Sequence, residues 1–321
     1  MEILVSVNCI TYNHEKYISQ CIEGFLMQKT NFDFEILIGE DCSTDNTRSI
    51  IEAYVKKYPN KIRLISSENN VGFMKNSIRV FEQSKGKYIA ICEGDDYWID
   101  ENKLQQQVDY MEKNLECSLC CHNSQILDDE TKKEIGLFKQ ENTNKKYMIS
   151  DIILGGGGFL STPSLIFRRE IIENLPQWYK NSSVGDYPLQ LIASTFGYIY
   201  YMKDVMSVYR TNVNGSWTKE NQINASKEKI IKNYRNVIDI LSNFNEYSYF
   251  KYTYEVNKVI IPLEFEICIL SGRVKDIRNP RYKECYDDLD VNKKVKTYIK
   301  AICPSAYMKL IDIKTKLKKG Y

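Results

Sequence analysis

No stretch of this chain is long and apolar enough to suggest a membrane span. Its longest uncharged stretches, residues 152–167 and 187–202, hold 16 residues each and are broken by glycine or proline. A spanning helix needs about 20 mostly apolar residues. Neither G-x-G-x-x-G nor G-x-x-x-x-G-K-[ST] occurs, which removes the dinucleotide fingerprint and the P-loop, and with them a conventional dehydrogenase or ATPase. Net charge is nearly absent, at +2, which excludes a dedicated nucleic-acid binder. The ten cysteines lack the arrangement of a zinc site: Cys117, Cys120 and Cys121 could begin one, but no second pair follows at ligand spacing. Cys9, Cys92 and Cys268 lie in apolar runs and read as small buried hydrophobes. Charged and polar residues interrupt the N-terminus over residues 13–16, so no secretory signal is expected and a reducing cytoplasm is the expected setting.

What is present is an ordinary globular composition, 43% hydrophobic and 27% charged. The small net charge hides a gradient. Residues 291–321 carry nine lysines against Asp312, a local +8 that leaves −6 for residues 1–290. An acidic body with a basic tail directs the tail, not the body, toward an anionic surface.

Over the first 125 residues strand and helix patterns alternate, which predicts an α/β fold with a mainly parallel sheet. Strands are expected at residues 3–10, 34–38, 62–65, 88–92 and 118–122. Between them, pairs such as Ile18 with Cys21/Ile22 and Phe25, or Leu104 with Val108 and Met111, recur at helical spacing. Ser43 or Thr44 is placed to cap the helix that Pro59 stops. Residues 124–150 are polar and read as a hairpin or loop. Short strands are expected at 163–167, 198–201 and 205–209, with a helix at 187–194. The four glycines at 155–158 read as a flexible connection. From about residue 222 the pattern is helical, with a stripe through Ile230/Ile231, Tyr234, Val237/Ile238 and Leu241, placing a boundary near 217–221.

In an open parallel sheet, ligands bind beyond the carboxyl ends of the strands. Three expected strand ends carry polar clusters: Thr11-Tyr12-Asn13-His14, Glu40-Asp41-Cys42-Ser43-Thr44-Asp45, and Glu93-Gly94-Asp95-Asp96-Tyr97-Trp98. Asp95 and Asp96 are the most informative. Adjacent full charges about 4 Å apart repel by roughly 4 kcal/mol at an effective dielectric near 20. Such a pair is stable when solvated in a turn or neutralised by a cation, and magnesium and manganese take carboxylate and phosphate oxygens. Asp41 offers a carboxylate able to accept the imide N–H of a uracil, and Asp45 suits a helix N-terminus.

The runs V-S-V-N-C-I-T-Y-N-H-E-K-Y-I, E-I-L-I-G-E-D-C-S-T-D-N-T, E-N-N-V-G-F and G-K-Y-I-A-I-C-E-G-D-D-Y-W together resemble family 2 glycosyltransferases with the A-type fold. The likeness covers about residues 3–125 and continues more weakly through G-D-Y-P-L-Q-L and V-M-S-V-Y-R to Trp217. It implies a catalytic domain at 1–220, a Rossmann-like sheet that binds a nucleotide sugar, followed by a helical region at 221–321 that ends in a basic amphipathic tail. By resemblance, Thr11, Tyr12 and Asn13 line the base and ribose pocket, Asp41 contacts the base and Asn70 sits beside the nucleotide. Asp95 and Asp96 match the family's metal and ribose-phosphate motif, implying Mn2+ or Mg2+, and Asp186 matches the catalytic base of an inverting displacement. Glu93 falls where many members have the first aspartate of that motif. Asp186, preceding Tyr187 and Pro188, also suits a helix start.

The chain departs from the pattern at Gly185, where relatives often have an acid, and at Asn212, where they often have a histidine that helps hold the metal or diphosphate. The resemblance implies transfer of a sugar, from a UDP-sugar by preference, to a saccharide or lipid-linked saccharide acceptor in surface polysaccharide or glycolipid synthesis. The expected location is cytoplasmic, peripheral on the inner face of the plasma membrane where the lysine-rich tail can meet anionic lipid. That tail could instead pack on the catalytic domain. A relative that binds nucleotide sugars or a partner without turnover is the non-enzymatic alternative. A nucleotidyltransferase is the other, but residues 11–16 contain no glycine for its phosphate loop.

Overall fold

In the computed structural model the apolar run at the N-terminus forms β1 (Ile3–Thr11), with Val5, Val7 and Cys9 fully buried. The structure describes residues 2–216, 219, 226–273, 275–291, 294, 295 and 298. The chain divides into two compact units, Met1–Lys219 and Glu220–Tyr321.

In the first unit, α1 (Ile18–Leu26), β2 (Asp33–Glu40), α2 (Thr47–Lys57), β3 (Ile62–Ser66), α3 (Phe73–Glu82) and β4 (Tyr88–Ile91) follow β1 in strict alternation. Alternate residues of β1 divide its two faces. Val5, Val7 and Cys9 pack in one apolar cluster with Ile36 and Ile38 of β2, Ile22 and Phe25 of α1, and Ile51 of α2. Ser6 and Asn8, on the other face, are buried but satisfied: Ser6 donates to Glu35 Oε1 at 2.8 Å, and Asn8 Nδ2 donates to Ser84 Oγ at 2.9 Å. The short β5 (Tyr97–Trp98) and α4 (Lys103–Lys113) complete this half.

Then come β6 (Cys117–Asp128), β7 (Lys133–Leu137), β8 (Lys145–Tyr147), α5 (Ile149–Gly155), β9 (Ile166–Arg168), α6 (Glu170–Glu173), α7 (Gln177–Lys180), α8 (Asp186–Phe196) and β10 (Tyr198–Thr211). One sheet holds all ten strands in the order β3-β2-β1-β4-β9-β6-β10-β5, with β7 paired to β6 and β8 to β10. β1, β2, β3 and β4 pair in parallel, as do β6 and β10. β9 runs antiparallel between β4 and β6, so the sheet is mixed although its longest pairings are parallel. This is the expected α/β architecture of the A-type glycosyltransferase kind.

Several local expectations change. The helix after β2 begins at Thr47, and neither Ser43 nor Thr44 caps it, because their hydroxyls are turned to the β1 loop: Ser43 Oγ accepts from Asn13 N and Thr44 Oγ1 donates to Asn13 Oδ1. Asp45, one residue before the N-cap Asn46, accepts from Thr47 N at 2.9 Å and so serves the helix start from outside it. The strand expected at 118–122 runs on to Asp128. The two short strands near 200 and 207 are one, β10, whose pairing with β6 slips between Met202 and Val205. That bulge lets the exposed Lys203 and Asp204 interrupt the pattern without ending the strand. The strand expected at 163–167 is a 3-10 turn, Thr162–Ser164, followed by β9.

In the second unit, α9 (Lys227–Tyr247) starts at Ser226, whose hydroxyl accepts from Lys229 N, and packs on α10 (Thr253–Leu270). Phe265, Cys268 and Ile269 of α10 close over Ile277, and α11 (Lys283–Asp287) follows. The expected tail helix lies almost wholly outside the described residues, as does most of the 217–221 junction. Among the described residues no helix is long and apolar enough to cross a membrane.

Candidate active site

Parallel register brings the first three polar clusters together. Thr11 at the end of β1 stands level with Glu40 at the end of β2, and beyond β4 the amide of Gly94 donates to Ile10 O at 3.0 Å. The loops after β1 and β2 are laced to each other. Asn13 takes a left-handed backbone (φ 56°), which its short polar side chain tolerates. Its Oδ1 accepts from Thr44 N at 2.8 Å, so that oxygen is engaged within the protein. Tyr12 is 41% exposed beside it, whereas Thr11 is buried and its Oγ1 has no partner among the described residues.

Asp41 is buried, and its two carboxylate oxygens accept from Val71 N and Gly72 N, both at 2.8 Å. Asn70 Oδ1 also accepts from Gly72 N, at 3.1 Å. Gly72 has φ 85°, a conformation that glycine adopts without strain, and it leads directly into α3. Asp41 and Asn70 therefore converge on the Gly72 amide, and in doing so they fix the loop that carries Asn70. The spacing of the motifs had no means of showing that bracing.

Beyond β4, Glu93, Asp95 and Asp96 each present an oxygen within 4.8 Å of the other two, the one such grouping among the described residues. Burial, followed by the charges of Asp95 and Asp186, pushes the Glu93 carboxyl up to about 8. Burial and then Asp95 likewise push Asp96 well above the carboxylate range. Asp96 is 1% exposed; its Oδ1 accepts from Arg210 N at 2.7 Å and its Oδ2 has no partner among the described residues. Three clustered carboxyls with an orphaned oxygen fit a divalent cation, which would supply the charge that this pocket lacks. Cys117, Cys120 and Cys121 are buried in β6 and belong to no such grouping.

The turn that carries these acids is anchored on both sides. Trp98 is buried against Phe25, ring centroids 4.7 Å apart, and its Nε1 donates to Pro163 O at 2.8 Å. Arg210 of β10 lies between Tyr17 and Tyr97, and its guanidinium donates to the Asp95 carbonyl and to Gln20 Oε1. Arg210 ends the V-M-S-V-Y-R run, but nothing in that run assigns it a role of its own, since its partners lie more than a hundred residues away. A side chain at Gly94 would place its Cβ 2.6 Å from Thr11 Oγ1 and 2.8 Å from Thr11 Cβ. Gly94→Ala is therefore expected to destabilise the chain by about 1–3 kcal/mol, the usual range for overpacking. An unchanged urea midpoint would show that the turn can give way.

Asp186 is the first residue of α8. Its Oδ1 accepts from Tyr187 N at 2.7 Å, and Thr162 Oγ1 donates to Oδ2 at 3.5 Å. Burial pushes its carboxyl up, and its charge is the smallest of the three causes that raise Glu93. The glycine run lies beside this helix: a Cβ on Gly157 would stand 3.6 Å from Tyr187 Cβ. Asn212, left-handed at φ 60°, donates through Nδ2 to Asp128 Oδ2 at 2.6 Å.

Residues 6–175 match the family described as Glycosyl transferase family 2. An uncharacterized protein of Mycobacterium tuberculosis is 32% identical over 214 residues, which are 66% of this chain and 60% of that protein. The chain thus spans about 60% of the length of that curated relative. TuaG of Bacillus subtilis, named for teichuronic acid biosynthesis, is 34% identical over 108 residues, 34% of this chain and 42% of that one. Among solved structures, S. aureus TarS residues 1–349 in complex with UDP superpose with a TM-score of 0.58 at 17% identity, over 94% of this chain and 81% of that one. Mannosyltransferase PcManGT from Pyrobaculum calidifontis, in complex with GDP-Man and Mn2+, gives a TM-score of 0.52 at 12% identity, over 95% and 88% of the two chains. These two likenesses concern the fold. The family match, over more than half of the chain and along the strands that carry the acidic turn, makes this protein a member of glycosyl transferase family 2.

Proposed function

We propose that the chain transfers a sugar from a nucleotide diphosphate sugar, by preference a UDP-sugar, to an acceptor hydroxyl with inversion. The observation that carries this reading is the cluster of Glu93, Asp95 and Asp96 just beyond β4, with Asp186 near enough for its charge to raise the Glu93 carboxyl. Asp95 and Asp96 would hold Mn2+ or Mg2+, with Glu93 beside them. Such a cation supplies positive charge against the diphosphate leaving group. Thr11, Tyr12 and Asn13 border the base and ribose. Asp41 keeps a second lone pair on each oxygen for the base while bracing the Asn70 loop.

Asp186 takes the proton of the acceptor hydroxyl as that oxygen attacks. Its burial-raised basicity and the Thr162 hydroxyl at its Oδ2 suit a general base. The UDP complex of TarS supports uridine, and the GDP-Man complex of PcManGT is the counter-example to be tested. TuaG's name supports a surface-polysaccharide acceptor, free or lipid-linked. On this reading residues 1–220 are catalytic and 221–321 are a helical region whose tail meets anionic lipid at the inner face of the membrane.

A panel of UDP- and GDP-sugars tested with Mn2+ checks the proposal. The expected result is thermal stabilisation by a UDP-sugar that a chelator removes, followed by UDP release when acceptor is added. Larger shifts with GDP-sugars would overturn the choice of base. Binding without release by any saccharide or lipid-linked acceptor would favour a binding protein over an enzyme.

A further inference from the structure

We propose that His14 is a ligand of the divalent cation held at the acidic turn, contributing through Nε2 next to Asp95. The inference rests on the metal reading given above and goes beyond it, to a residue outside the acidic motif. His14 Nε2 stands 4.0 Å from Asp95 Oδ2. Two ligands bonded at about 2.1 Å to one octahedral cation are roughly 3.0 Å apart when adjacent and about 4.2 Å apart when opposite. The observed 4.0 Å is about 0.2 Å short of the second value, a difference that rotation of the two side chains can supply.

The imidazole makes no side-chain hydrogen bond among the described residues. Its Nδ1 is buried with no partner among the described residues, and Nε2 reaches Asp95 at a distance too long for a hydrogen bond. The backbone of His14, by contrast, is fully engaged: its amide donates to Thr47 Oγ1 at 2.8 Å, and its carbonyl accepts from the amides of Tyr17 and Ile18, each at 2.9 Å. The edge of the ring meets Tyr17, which is itself held by Asp129 at 2.7 Å. The fold therefore fixes where the ring stands, leaving Nδ1 without a partner and Nε2 near Asp95 without a hydrogen bond.

A metal-bound imidazole normally donates its second N–H to a neighbouring acceptor, which fixes the tautomer. The acceptor available to His14 is Thr11 Oγ1, also buried and without a partner. Both atoms lie within 3.0 Å of the point that a Cβ on Gly94 would occupy, so they border one small gap. Closing it would satisfy two orphaned groups together and leave the Nε2 lone pair toward Asp95. Asn212, by comparison, already commits its Nδ2 to Asp128. Adding an imidazole to carboxylates also biases the site toward Mn2+ over Mg2+, since nitrogen ligands suit transition ions better.

The chain contains only two histidines, and the other, His122, is buried in β6 with Nδ1 on Asn123 O at 2.8 Å. A pulsed electron paramagnetic resonance spectrum of the full chain with Mn2+ and UDP thus has one expected source of a directly bonded imidazole nitrogen. The coupling is expected in the unaltered chain and absent from His14→Ala. The Mn2+ dissociation constant of His14→Ala should rise about tenfold or more, the lower end of what losing even an outer-shell partner costs. Bound Mn2+ without nitrogen coupling, or unchanged affinity in His14→Ala, overturns the assignment and leaves the carboxylate site standing. No Mn2+ binding by the unaltered chain overturns both. If His14→Ala does not fold, the coupling in the unaltered chain, lost in His14→Gln, decides the question.

Discussion

Asp186→Asn is expected to lower turnover by about 10²–10⁴-fold, the usual contribution of a general base, while leaving the donor bound. The exchange keeps the size of the side chain, and its remaining oxygen can still accept from Tyr187 N. What disappears is the capacity to take a proton. Asp186 also opens α8, and an acid in the first turn of a helix is worth about 0.3–1 kcal/mol through the helix dipole. A hundredfold loss corresponds to about 2.7 kcal/mol, and the helix-start role is too small to produce it. The charge of Asp186 moreover helps to push the Glu93 carboxyl up. Neutralising it should leave cation and donor affinity unchanged or tighter, so that kcat falls while KM holds or drops. Normal turnover would remove Asp186 as the base. A parallel loss of donor binding would assign it to holding the nucleotide.

The parallel half of the sheet is legible because buried strands and amphipathic helices have distinct periods, and those periods alone place Thr11, Asp41 and Asp95 at three strand ends. The second half was harder to read. β9 is only three residues long and antiparallel, and β10 is interrupted by a bulge at Lys203 and Asp204. Pattern reading registers a bulge as a strand end, because the alternation fails there while the hydrogen bonding resumes. At the site, motif spacing indicates which polar groups reach the cleft, but not which of them bond to each other. Asn13 Oδ1 serves Thr44, Asp41 braces Val71 and Gly72, and Arg210 closes on a carbonyl more than a hundred residues earlier in the chain. Each of those pairings depends on tertiary approach, which local sequence does not encode.

Lys103→Met is expected to stabilise the protein at neutral pH, and its advantage should shrink as pH rises. Lys103 is fully buried at the start of α4; its Nζ donates to Gln107 Oε1 at 2.7 Å and lies 4.0 Å from the Trp98 ring centre. Burial pulls the ammonium down from 10.5 to about 7, the opposing influence of Cys92, Cys120 and Asp100 being smaller than the desolvation. Between these two values the unfolded chain holds a proton that the folded chain has released. The contribution of Lys103 therefore grows more favourable with rising pH, by up to about 1.4 kcal/mol per unit, while below pH 7 the full penalty of a buried charge remains. Glu93, raised to about 8, acts in the opposite sense between its two values. Only the difference between unaltered and Lys103→Met chains isolates the lysine. That difference should fall by about 3–5 kcal/mol between roughly pH 6 and pH 10, measured as urea unfolding free energies. Leaving Gln107 Oε1 without its donor costs about 1–3 kcal/mol, but the same amount at every pH, so the slope survives it. Parallel pH profiles for the two chains would mean that Lys103 keeps its charge, held there by the Trp98 face. Trp98 sits directly after the acidic turn, and its emission in Lys103→Met would then report whether that turn relies on the ammonium beneath it.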